Sequence, residues 1–253
     1  MAEKNINSKA QEIIKKTKEL SEKCNIYKKQ IIENNSNIDY AYNPLDYAWK
    51  PHKVYLEKYG GLGAKTIIMG MNPGHGMGNT GIPFGCPEKV KTYLDITNLK
   101  VKQPMKTHPK RKITGLECTK PEISGKRIWG IIEEIYGSPT NAFNEIFVLN
   151  HFPLWMFNES GQNITPDKLR KSTTKEIFTA CNKYLTDVAQ ILNCKTIIGV
   201  GKYAQKMAKL ALSDNEIKTI IVKEIPHPSP ANPLANKDKG KIWKKLSKKV
   251  IKS

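Results

Sequence analysis

Apolar and polar positions recur along this chain with two different periods. Between residues 1 and 33, Ala10, Ile13, Ile14, Leu20, Cys24 and Ile31 return at helical spacing while lysines fill the opposite face. That predicts a long amphipathic helix, with Ser8 and Gln11 as a capping box near its start. Residues 65–70, 146–149, 196–200 and 219–222 are short apolar runs without polar alternation, as expected of strands covered on both faces. Helical periodicity returns in 127–136, 166–192 and 202–212, the middle one with Thr165 as N-cap and Pro166 at its first position. Ile242, Trp243, Leu246 and Val250 predict a terminal amphipathic helix within 236–253. Residues 35–63 read as polar and turn-rich, and 99–126 as a long irregular stretch.

Apolar strands alternating with helices predict an α/β fold, a three-layer αβα arrangement around a central, mainly parallel four-stranded sheet. Residues 1–34 are expected as a helix packed on, or extending from, a single domain spanning 35–253. In such sheets ligands bind at the carboxyl ends of the strands. Asn72 follows the first strand, Asn150 and His151 end the second, and His227 follows the last. Gly199-Val200-Gly201 after the third lacks the remaining glycine of a dinucleotide fingerprint and reads as a turn.

Charge narrows the partners. Forty-two Lys and Arg against 23 Asp and Glu give a formal +19, which favours polyanions and nucleic acid first. The rival reading of that excess is a compositional bias, since the chain is also rich in Asn and Ile, as expected of an AT-rich coding sequence. Residues 236–253 hold eight lysines and one aspartate, and 100–112 are also strongly basic. The five cysteines are scattered, without a Cys-x-x-Cys pair, so free thiols are expected rather than a zinc or iron–sulfur site. No run approaches 18 apolar residues, and the first residues lack the apolar core of a signal peptide. Nucleophile-elbow, phosphate-loop and zinc-helix motifs are missing, as is an acidic pair at a strand end. What remains is Asn72 in Gly70-Met71-Asn72-Pro73-Gly74 and His227 in His227-Pro228-Ser229-Pro230. Asn72 can hold a water or donate to a ligand but cannot take a proton, and Asn-Pro-Gly is equally a common turn. His227 stands on a loop stiffened by Pro226 and Pro228.

Those two motifs, with Met77, Thr80-Gly81-Ile82-Pro83-Phe84-Gly85 and Asn232-Pro233, resemble the uracil-DNA glycosylase superfamily, and within it the single-strand-selective monofunctional family. Collinear matches include Tyr42-Asn43-Pro44, Tyr47-Ala48-Trp49, His108-Pro109-Lys110-Arg111, Gly115-Leu116-Glu117-Cys118, Ser124-Gly125 and Asn163-x-Thr165-Pro166, over residues 40–237. The resemblance implies excision of uracil flipped out of single- or double-stranded DNA, with no metal or organic cofactor and no lyase step. It implies that Asn72 positions the water and His227 stabilises the leaving uracil through O2. Asn150 would read the O4/N3 edge and Phe84 stack on the ring, while Met71, Gly74 and Met77 face the base. Pro83, Ser229, Ala231, Leu234, Lys237, Lys110 and Arg111 are expected on the DNA, Leu234 as a wedge at the tip of the 231–239 loop.

Two departures stand out. The 74–77 loop is one residue shorter than the family's, which bears on 5-substituted uracils such as 5-hydroxymethyluracil, and its His75 is expected to be a solvated loop residue. Ala231 stands where the family usually has arginine. The rival readings are a mismatch thymine or xanthine glycosylase, against which Asn72 and Asn150 speak, and a catalytically silent DNA-binding relative, against which the intact Asn72 and His227 speak. A monomer is expected with no membrane partner, nuclear in a eukaryote and cytoplasmic in a bacterium.

Overall fold

A computed structural model describes residues 2–170 and 174–253, with side chains from residue 8 onward. Its strands are β1 (Tyr40–Tyr42), β2 (Thr66–Gly70), β3 (Ile146–Asn150), β4 (Trp155–Phe157), β5 (Asn163–Ile164), β6 (Thr196–Val200) and β7 (Ile221–Ile225). The central sheet runs β3-β2-β6-β7, with every neighbouring pair parallel. Ile67, Ile68 and Val148 are wholly buried, because helices cover both faces and leave no room for polar alternation. The register sets Gly70 opposite Asn150 and Val200 opposite Ile225, so all four strands deliver their following loops to one edge.

The N-terminal helix Ala2–Asn34 lies against helices Trp49–Tyr59 and Lys175–Ile191. Leu20, Cys24 and Ile31 are buried along it, and Thr17 Oγ1 meets Tyr184 OH at 3.0 Å. Burying a side chain such as Leu20 or Ile31 contributes about 1.5–3 kcal/mol, so its apolar stripe is satisfied within this chain. The helix begins at Ala2, six residues before Ser8; the expected capping box is therefore interior, and the apolar stripe does not mark the true start.

Other boundaries also move. Pro166 opens a 3-10 turn, Pro166–Lys168, and the long helix starts only at Lys175; residues 171–173, within the expected helix, lie outside the described residues. The helix expected from Arg127 begins at Ile123, because the Glu122 side chain caps it by accepting from Gly125 N–H. The last strand lies at Ile221–Ile225, two residues later than its apolar run suggested, and on the sheet edge only its Ile225 is buried. The expected turn-rich segment instead holds helices Pro44–Tyr47 and Trp49–Tyr59. A second sheet, β1-β4-β5, is antiparallel and pairs Tyr42 with Trp155. Its strands of two or three residues are too short for periodicity to reveal. All five cysteines are free thiols.

Candidate active site

The loops after β2 and β7 and the last residue of β3 converge on a cavity of ≈ 360 Å³ lined by Met71, Asn72, Gly74, Met77, Phe84, Asn150, His227 and Ser229, among others. Residues far apart in sequence thus meet because parallel strands end together. Among the described residues no group of histidines, cysteines and carboxylates could hold a metal ion.

Asn72 is half-buried, and its Nδ2 donates to the carbonyl of Pro73 at 3.2 Å. Anchoring the amide nitrogen in this way leaves Oδ1 as an acceptor for a water in the cavity. Asn150 is buried, with Nδ2 donating to Met77 Sδ at 3.1 Å and Oδ1 lacking any partner within the protein. A buried carbonyl oxygen left unpaired costs about 1–3 kcal/mol, which a ligand N–H at this edge would recover. Sulfur accepts weakly and cannot donate, so Met77 holds the amide with its nitrogen turned one way.

His227 is half-buried, and its Nδ1 accepts from the backbone N–H of Ser229 at 3.1 Å. An accepting Nδ1 fixes the neutral tautomer with its proton on Nε2, and burial pushes the imidazole below its ordinary 6.5. The ring is therefore a neutral donor. Its loop is held from three sides. Asn232 Nδ2 donates to the His227 carbonyl at 2.8 Å, Arg127 Nη1 to that of Pro228 at 2.7 Å, and Trp243 Nε1 to that of Pro226 at 2.6 Å. Asn236 Nδ2 closes the turn on the Pro230 carbonyl at 2.6 Å.

Phe84 carries φ 52°, a left-handed conformation that costs a non-glycine residue about 1–3 kcal/mol and recurs at ligand clamps. Gly70 permits the approach of its ring: a Cβ there would stand 2.7 Å from Phe84 Cζ and would also run into Asn150 Oδ1.

Residues without an assigned role also line the cavity, among them Glu122, Ser124, Asn163 and Thr165. Burial raises the Glu122 carboxyl against the opposing pull of the Gly125 and Ser124 N–H groups. No local signal in the sequence placed that helix cap at the pocket; only its close packing against Gly76 in the helix His75–Thr80 does.

The remaining predicted residues lie outside the cavity. Pro83 is buried behind it, its carbonyl accepting from Trp129 Nε1 at 3.2 Å. Ala231 and Lys237 are exposed, whereas Leu234 is half-buried in a helical turn, Pro233–Asn236, capped by Asn232 Oδ1. Lys237 to Lys239 are exposed, with Asp238 and Lys239 both left-handed at φ 49° and 52°. Lys110 is exposed with Nζ 3.4 Å from the Ser160 carbonyl. Arg111 is half-buried, donates from Nε to Gly161 O at 2.8 Å, and lies over the Phe157 ring. His75 does not stand in a solvated loop: it opens the short helix His75–Thr80. It is half-buried, its Nε2 stands 3.1 Å from Cys118 Sγ, its ring meets the edge of Trp155, and burial lowers it to about 4. His151 is fully buried, its Nε2 2.9 Å from Asn182 Oδ1 and its Nδ1 3.2 Å from Tyr203 OH, away from the cavity lining.

The family model for the uracil DNA glycosylase superfamily matches residues 57–247. A protein of Bos taurus described as a single-strand selective monofunctional uracil DNA glycosylase is 36% identical over 212 residues, 83% of this chain and 76% of its own. A Rattus norvegicus protein of the same description is 39% identical over 197 residues, covering 78% and 70%. Among solved structures, wild-type SMUG2 of Pedobacter heparinus superposes with a TM-score of 0.60 at 16% identity, over 89% of this chain and 97% of the other. That likeness concerns the fold.

Proposed function

The chain belongs to the uracil DNA glycosylase superfamily, and on that premise we propose how its pocket removes uracil from DNA. It acts as a monofunctional uracil-DNA glycosylase, a hydrolase of the N-glycosidic bond without a lyase step. The observation that carries the assignment of roles is the convergence of Asn72, Asn150 and His227 on one cavity from three strand ends.

The flipped base enters with its ring against Phe84. Asn150 Oδ1 accepts from uracil N3–H, while the second Nδ2 proton, the first being on Met77 Sδ, goes to O4. Cytosine presents an acceptor at N3 and a donor at N4, so it would need the amide reversed and its oxygen set against sulfur. Asn72 Oδ1 accepts one proton of a water and aims that oxygen at C1′. As the C1′–N1 bond breaks, its electron pair leaves with uracil and the sugar gains oxocarbenium character. The charge developing on O2 meets Nε2–H of His227, a donor already oriented by Ser229. Such a preorganised donor needs no rearrangement during the reaction. The water oxygen forms the new bond to C1′ and loses its proton to solvent, leaving an abasic site.

The test is incubation with single- and double-stranded oligonucleotides that contain uracil, followed by alkali. Strand scission at uracil is expected from both. No scission from any uracil substrate would sink the activity, and full activity in Asn72→Ala would sink the role of Asn72. A parallel substrate with 5-hydroxymethyluracil reads whether the shortened 74–77 segment admits a substituent at C5.

A further inference from the structure

A second cavity, ≈ 500 Å³ and separate from the pocket, opens between the N-terminal helix and the start of the basic 100–112 segment. Its walls carry Lys18, Lys50, Lys100 and Lys102 around the ring of Trp49, against two carboxylates, Glu22 and Asp46. All four lysines are exposed. Among the described residues none of them has a carboxylate within ion-pair distance, whereas Lys58, Lys89, Lys126 and Lys248 are each paired with one. Lys18 Nζ sits 5.5 Å from the centre of the Trp49 ring. The other three tryptophans, Trp129, Trp155 and Trp243, are no more than 2% exposed. Trp49 is half-buried and faces the groove.

Unpaired lysines around an accessible aromatic ring make the chemistry that holds single-stranded nucleic acid: cations track the phosphates while a base stacks on the ring, whatever its identity. The charge excess supplies the attraction, and a duplex, whose bases are already stacked, could not use Trp49. The groove is tied to the pocket. Tyr47, on the groove wall, donates its OH to the carbonyl of Gly78 at 2.5 Å, on the helix whose Gly76 and Met77 line the pocket. Lys102 N–H in turn donates to the Tyr47 carbonyl at 2.8 Å. We propose that this groove binds the single-stranded DNA flanking the flipped nucleotide, with a base stacked on Trp49 and phosphates on Lys18, Lys50, Lys100 and Lys102. The inference rests on the glycosylase reading for its substrate, and the groove supplies strand affinity rather than chemistry.

Trp49 is its own reporter. A thymine-only oligonucleotide, which offers no uracil to cut, is titrated against the protein while tryptophan emission is followed. Quenching is expected in the wild type and should vanish in Trp49→Phe. In a Lys100→Ala/Lys102→Ala double variant the slope of log affinity on log salt should become shallower by about 1.4, as for two phosphate contacts on a single strand. For a uracil strand with long flanks, each variant should raise KM about tenfold with kcat unchanged. Cutting of a uracil strand too short to reach the groove should not change. Quenching that survives in Trp49→Phe, or a long-flank KM equal to the wild type's in both variants, overturns the proposal. Since the thymine titration involves no catalysis, quenching through Trp49 in a protein that cuts no uracil would support the groove and count only against the glycosylase reading.

Discussion

Gly70 and Phe84 meet so closely that a Cβ on the glycine would stand 2.7 Å from the tip of the ring. Gly70 ends β2 opposite Asn150 on β3, so one missing methyl group makes room for both the stacking ring and the reading amide. Gly70→Ala should displace Phe84 and Asn150 together. Overpacking of this kind costs about 1–3 kcal/mol. If it falls on the bound base, kcat/KM for uracil drops about 10- to 100-fold. Steady-state kinetics on a uracil oligonucleotide, beside a thermal melt, separate loss of the pocket from loss of fold.

Asn150→Asp keeps the shape of the amide and removes its donor. A carboxylate at that edge still accepts from N3–H but opposes O4, and it lies buried beside Met77. The expected loss is about 10²-fold or more in kcat/KM. A variant with unchanged uracil cleavage would show that the base is read elsewhere.

His227→Ala should lower kcat about 10²–10³-fold, the range found when a single preorganised donor is lost. The wild-type rate should also fall on the acid side. Burial holds the ring neutral to a pH below its ordinary 6.5, and a proton arriving on Nδ1 would displace the Ser229 N–H that orients it. The acid limb of kcat/KM therefore belongs below pH 6.5, and one centred above that value would contradict the tautomer.

Trp243→Phe tests whether the basic terminal helix supports the catalytic loop. The substitution keeps a buried aromatic ring but removes the hydrogen bond to the Pro226 carbonyl, a loss of about 1 kcal/mol. A slackened His227 should reduce kcat about tenfold, with DNA affinity at fixed salt little changed. If only affinity falls, the helix serves the phosphates alone.

Acid should weaken the fold through buried histidines. His52 and His151 are lowered to about 4 by burial, while the unfolded chain takes up their protons near 6.5. Between those values the unfolded state binds more protons, so stability falls as the pH drops from 6.5 towards 4 and is level above 6.5 on this account. Each residue contributes up to about 3 kcal/mol at about 1.4 kcal/mol per pH unit. Urea titrations across that window read the effect. In His151→Gln the fall should be shallower, whatever the variant's stability at neutral pH.

Much of the molecule was legible in its residues, for a physical reason that also sets the limit. Periodicity and motif are local, and they identified the helix carrying Ile13 and Ile31, the four strands of the central sheet, and Asn72, Asn150 and His227 at the strand ends. Register is not local. Only the parallel alignment of β2, β3 and β7 brings those three side chains to one cavity. Only packing joins Asn150 to Met77 across 73 positions and Glu122 to the cavity wall. Ser8 misled because a capping pattern inside a longer helix looks like a start, and β1 and β4 were hidden because three residues are too few to show a period. The +19 charge was visible from the first count of residues, but not its arrangement. The fold alone decided which lysines pair with carboxylates, as Lys248 does with Glu134, and which stand unpaired around Trp49. Composition sums charges, and only tertiary structure sets the distances between them.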